Sequence, residues 1–182
     1  MVNTYKLRLT VLQQEILRFL SIKAGRSFNA RNISKALEVS QPAVSKALPL
    51  LEKQNYVKIK KDKESKRLSI ELNRDNPMVM GLKRAENLKQ IYESGLAQFL
   101  HETFPGAVII LFGSYSLGED TTTSDVDIAV IGSKEKDVDL SNFNKYLERT
   151  IILHYFASFS EIHKNLKNNI LSGIILEGAM DL

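Results

Sequence analysis

The chain of 182 residues is 43% hydrophobic and 25% charged, the balance of a globular protein rather than a disordered or fibrous one. It has no cysteine, which excludes disulfides and thiolate metal sites and fits a reducing, cytoplasmic setting. The net charge of +4 is unevenly shared: residues 1–76 carry 16 Lys/Arg against 7 Asp/Glu, and residues 77–182 carry 9 against 14.

That asymmetry predicts two modules with different partners, 1–76 and 77–182, meeting at Arg74 to Pro77 where an alternating pattern ends at a proline. No apolar run approaches the ~20 residues that cross a bilayer, so no membrane role is expected. The first residues scatter charges through apolar positions and do not read as a signal peptide.

From Thr10, Leu12, Ile16 and Leu20 recur at helical spacing, with Val11, Leu17 and Phe19 widening the face and Gly25 as a stop. A second short helix fits the run from Ala30, where Ile33 and Leu37 stand four apart. A third has Ser40 as N-cap, Pro42 in its first turn and Val44, Leu48 and Leu51 as its buried stripe. Pro49 is out of place there, because it removes a hydrogen bond and should kink the helix. Val57 and Ile59 then alternate with Lys58 and Lys60, and Leu68, Ile70 and Leu72 with Ser69 and Glu71, which predicts a hairpin.

Three helices followed by a basic two-stranded ribbon resemble the winged helix-turn-helix of prokaryotic regulators. The resemblance implies duplex DNA binding, with the third helix in the major groove and Gln41, Ser45 and Lys46 facing base edges. The wing cations Lys60, Lys61, Lys63, Lys66 and Arg67 would meet phosphates, giving affinity without sequence information. A lysine-rich hairpin can instead be a solvated, aggregation-resistant edge, and winged helices also dock proteins.

Residues 77–104 read as one long linking helix, with Leu82, Ala85, Leu88, Ile91, Leu96, Phe99 and Leu100 as its stripe. After Pro105-Gly106, Ala107 to Phe112 is a short apolar strand of the kind buried on both faces. Gly113 and Ser114 then turn into a short helix, whose N–H groups and serine hydroxyl suit phosphate oxygens. A loop leads to Asp125-Val-Asp127 and an apolar run. Residues two apart in a strand share a face, so Asp125 and Asp127 stand side by side while Val126, Ile128 and Val130 enter the core. Paired carboxylates repel unless a cation bridges them, and oxygen-only ligands favour Mg²⁺ or Mn²⁺ together with substrate phosphates.

Gly-Ser, ten residues, then Asp-x-Asp before an apolar strand resembles the signature of the minimal nucleotidyltransferases of the DNA polymerase β superfamily. The resemblance is strong from about Ala107 to Gly132 and rests on element order alone to Leu182. The fold class expected is α/β (α+β): an N-terminal winged helix-turn-helix plus a nucleotidyltransferase fold with a mixed central sheet. The resemblance implies transfer of a nucleoside monophosphate from an NTP, ATP in the first instance, to an acceptor hydroxyl. Gly113 and Ser114 would hold the triphosphate; Asp125 and Asp127 would be the catalytic metal ligands.

Two departures stand out. The following strand, Arg149 to Ala157, has no acid where relatives carry a third carboxylate; Ile152 falls near that position and His154 shares its face. Leu117 stands where relatives often have arginine. His154 is thus the candidate third site position, and the alternative is a transcriptional regulator with a degenerate domain that only binds nucleotide or a partner. Some minimal nucleotidyltransferases act with helical HEPN proteins as toxin–antitoxin pairs, which adds a HEPN-type protein to the partners expected; a homodimer is a separate expectation. A second Asp-x-Asp, Asp137 and Asp139, reads as a polar loop capping a helix. Glu119 and Asp120 read as loop residues, and His163 as inert.

Overall fold

The computed structural model describes residues 8–61 and 68–179. The chain forms two units, Met1–Val79 and Met80–Leu182.

In the first unit, α1 (Val11–Ile22) starts at Thr10 in a reciprocal capping box with Gln13. α2 (Ala30–Ala36) starts at Asn29 in a box with Asn32, and α3 (Gln41–Lys53) at Ser40, whose side chain accepts from the Ala43 amide. Caps of this kind contribute about 1 kcal/mol each. Ile16, Leu20, Ile33, Val44, Leu48 and Leu51 meet in one core with Val57, Ile70 and Leu72 of the hairpin. Pro49 lies inside α3 after all. It sits on the exposed side, where water can solvate the carbonyl that loses its intrahelical partner. β1 (Val57–Lys61) and β2 (Leu68–Leu72) pair antiparallel with Ile59 opposite Ile70. Three helices and a two-stranded wing are the winged helix-turn-helix expected.

In the second unit the single linking helix is corrected to two, α4 (Pro77–Glu93) and α5 (Leu96–Thr103). They part at Ser94–Gly95, where Gly95 takes a left-handed conformation (φ 77°) and the Ser94 hydroxyl accepts from the Leu96 amide. The predicted stripe is corrected as well. Leu82 and Ala85 are exposed, and the buried positions of α4 in this unit are Lys83, Asn87, Gln90 and Ile91. Its inward face is therefore polar at three of four positions, which no hydrophobic periodicity could reveal.

A four-stranded sheet has the order β5-β4-β3-β6, formed by β3 (Val108–Phe112), β4 (Val126–Ile131), β5 (Ile151–Phe156) and β6 (Ile174–Glu177). β3 runs antiparallel to β4 and β6, whereas β4 and β5 are parallel, joined through α7 (Ser141–Leu147). One face buries Ile109, Leu111, Val126, Ile128 and Val130 against Leu96, Leu100, Phe104 and Leu147. The other buries Ile110, Phe112, Ala129 and Ile131 against Ile162 and Ile170, the latter on α8 (Lys164–Leu171). Both faces of the sheet are thus covered, which is why its central strands read as continuous apolar runs. α6 (Gly113–Leu117) leaves the end of β3 directly.

Candidate functional site

β3 and β4 pair so that Phe112 stands opposite Asp127, and β5 sets Ile152 opposite Asp127 on the other side. The alternation of β4 sends Val126, Ile128 and Val130 to one core, leaving Asp127 on the opposite face with Ala129. Asp125 precedes the strand rather than opening it, and is exposed.

Gly113 adopts φ +73°, and a Cβ built on it would lie 2.8 Å from Oδ2 of Asp127. Any side chain there would be strained by the backbone and would strike the carboxylate. The turn of Gly113 and Ser114 therefore lies directly against Asp127, although 14 positions separate Gly113 from it in sequence. Ser114 is half-buried. Oδ1 of Asp127 is 2.9 Å from Nε2 of His154. The imidazole also packs edge-on against Phe112, with ring centroids 5.2 Å apart. The side chains of Asp127 and His154 remain about a third exposed, so the pair opens to solvent.

These donors suit a hard divalent cation. Asp127 turns Oδ2 toward the space that the missing Cβ of Gly113 leaves clear, and Asp125 offers an exposed carboxylate just before β4, both oxygen donors of the kind such cations prefer. Ile152, in register with Asp127 on β5, is exposed and offers no third carboxylate. Among the described residues no group of three His, Cys, Asp or Glu side chains is arranged to hold a metal ion.

Beside Asp125 an open cavity of about 470 Å³ is lined by Thr122, Thr123, Ser124, Asn144 and Arg149 among others. Behind it lies a group the sequence reading missed. Asp120, expected as a plain loop residue, is fully buried. It accepts from Lys83 Nζ, from Asn87 Nδ2 at 2.6 Å and from Arg149 Nη2 at 3.2 Å. Its partners come from α4 and from the turn before β5, too far away in sequence for a spacing rule to connect them. Next to it Tyr115 is buried with a hydroxyl that has no hydrogen-bond partner among the described residues. Burial first, then the Asp120 charge, pushes its phenol well above the usual value near 10.

The second acidic pair is as expected. Asp137 and Asp139 are exposed, and Asp139 accepts from the Ser141 amide at 2.9 Å at the start of α7. Hydrogen bonds from Ser141 hold its carboxyl below the usual range. His163 is exposed just before α8.

On the first unit, Gln41, Ser45 and Lys46 are exposed on α3. Gln41 and Ser45 line a groove of about 350 Å³ together with Arg31 and Leu68. Arg31, at the start of α2, is a cation the sequence reading passed over. Lys60 is exposed and pairs with Glu71 at 3.3 Å, and Lys61 is exposed at the end of β1. Lys63, Lys66 and Arg67 lie outside the described residues.

No helix among the described residues is long and apolar enough to cross a membrane. No curated protein matches the chain. Among solved structures, it is similar to the adhesin competence repressor of Streptococcus pyogenes at 26% identity and a TM-score of 0.41, over 53% of this chain and 69% of that one. It is similar to ZitR of Lactococcus lactis at 22% and 0.40, over 58% and 68%. It is similar to MepR, a transcription regulator of the Staphylococcus aureus multidrug efflux pump MepA, at 22% and 0.39, over 53% and 72%. Scores at this level assign neither a ligand nor a role. Residues 93–176, which include Gly113, Ser114, Asp125, Asp127 and His154, match the family model of the nucleotidyltransferase domain.

Proposed function

We propose that the chain is a DNA-binding protein whose second unit is a Mg²⁺-dependent nucleotidyltransferase, moving a nucleoside monophosphate from ATP to an acceptor hydroxyl. The observation that supports this reading is the close approach of Gly113 to Asp127, which sets a glycine turn at the start of a short helix beside a carboxylate. The match of residues 93–176 supports the reaction class, since such domains in general use an NTP and a divalent metal.

In this reading Gly113 and Ser114 hold the triphosphate through backbone N–H groups and the serine hydroxyl. Asp125 and Asp127 hold the metal, which when bound lowers the acceptor's pKa and offsets charge on the leaving pyrophosphate. His154 fixes one oxygen of Asp127 and leaves the other toward Gly113. The exposed α3 residues, Arg31 and the wing cations meet duplex DNA. The deciding experiment incubates the protein with α-phosphate-labelled NTPs, Mg²⁺ and cell extract. Label in a product with the wild type and none with Asp125→Asn is the expected result.

A second reading rests on Ile152: with no acid opposite Asp127, the unit binds nucleotide without transferring it, and the protein is a regulator. Nucleotide that stabilises the protein without labelling any product is its signature.

A further inference from the structure

We infer that the buried group around Asp120 is a positioning hub that sets the phosphate turn and the aspartates at their working separation. This rests on the reading of Gly113, Ser114, Asp125 and Asp127 given above. Lys83, Asn87 and Asp120 are each at most 1% exposed and Arg149 is 6% exposed, so none of the first three touches a ligand.

The hub joins the parts of the site that are far apart along the chain. Asn87 Nδ2 donates to the Tyr115 carbonyl at 2.8 Å, which holds α6 and with it the Gly113–Ser114 turn. The same amide, with Lys83 and Arg149, holds Asp120 at the head of the loop that delivers Asp125. Arg149 is fixed in turn, its Nη1 donating to the Glu148 carbonyl at 2.9 Å. The next residue, Thr150, accepts from the Val126 amide at 2.8 Å, between the two site aspartates. One carboxylate therefore fastens the phosphate turn, the loop before Asp125 and the strand edge beside Val126.

A buried ionic group is a poor choice for stability alone, because apolar side chains of similar volume often do as well or better. What it adds is direction: hydrogen bonds fix angles and register that apolar contacts leave loose. Lys83 and Asn87 also lie outside residues 93–176, so the part that matches the nucleotidyltransferase domain is completed here by α4.

The test uses the full chain and isothermal titration with Mn²⁺ plus α,β-methylene-ATP, alongside melting without ligand. The triple variant Lys83→Met, Asp120→Leu, Arg149→Met removes the three charges together, so that Asp120 and the two cations that pair with it are lost as a set. It should melt near the wild type but bind the probe about 10- to 100-fold more weakly, the range for partners that orient metal ligands. Lys83→Met alone leaves Asp120 paired with Arg149 and Asn87, and should weaken binding severalfold even if the triple variant fails to fold. Wild-type affinity in Lys83→Met, or in a folded triple variant, overturns the hub. No binding by the wild type overturns the nucleotide-site reading, and the hub with it.

Discussion

Nε2 of His154 lies 2.9 Å from Oδ1 of Asp127, although His154 stands in register with Ala129 and Ile152 stands opposite Asp127. The imidazole reaches diagonally across the parallel pair to a carboxylate one step along the same face. Its Nε2 is thereby committed to Asp127, so the imidazole orients that carboxylate.

Removing that partner should loosen the carboxylate without unfolding the protein. For His154→Ala, Mn²⁺ affinity should fall about 10- to 100-fold. Melting should change little, because exposed pairs contribute about 0–1 kcal/mol. A titration with unchanged affinity would show that Asp127 needs no such support.

Gly113→Ala tests the contact between turn and carboxylate. The left-handed backbone should cost about 1–3 kcal/mol, and the new methyl would press on Oδ2 of Asp127. Thermal unfolding should show the loss, and Mg²⁺ with ATP should no longer raise the melting temperature. A retained nucleotide shift would remove Gly113 from the site.

Ile152→Asp would place an acid opposite Asp127 at an exposed position, where substitutions are tolerated. Tighter Mn²⁺ binding is expected. If transfer of label appears only in this variant, the natural site binds nucleotide without reacting.

Tyr115→Phe removes a buried hydroxyl that has no partner among the described residues. Stability at neutral pH should be unchanged or raised by up to about 2 kcal/mol, as an unsatisfied buried group is costly. The pH dependence has a definite sign. The folded phenol holds its proton more tightly than the unfolded one, so its contribution is full below the usual pKa of 10.0 and is lost as pH rises above it. Wild type should lose stability more steeply than Tyr115→Phe in alkaline denaturation, and parallel curves would contradict this.

Lys60→Glu with Lys61→Glu tests the wing. Duplex affinity should drop for all sequences alike, and the salt slope should shrink by about 1 for each phosphate contact removed. Indifference of both quantities would point to protein docking by this unit.

Local sequence determined a great deal here. Capping residues at Thr10, Asn29 and Ser40, the period-two runs of the wing and the apolar strands around Gly113 to Asp127 each carry their structure within a few residues. Helix starts, strands and turns depend on near neighbours, so they are legible from the chain alone. That Ile152 and His154 share a face was legible for the same reason, because strand alternation fixes which side chains point the same way. Tertiary structure decided what depends on distant pairings. It turned Lys83, Asn87 and Gln90 inward where periodicity had favoured Leu82 and Ala85, and it made Asp120 the centre of a buried group rather than a loop residue. A buried charge is tolerated only when partners converge on it from several elements, and that convergence exists only in the folded chain.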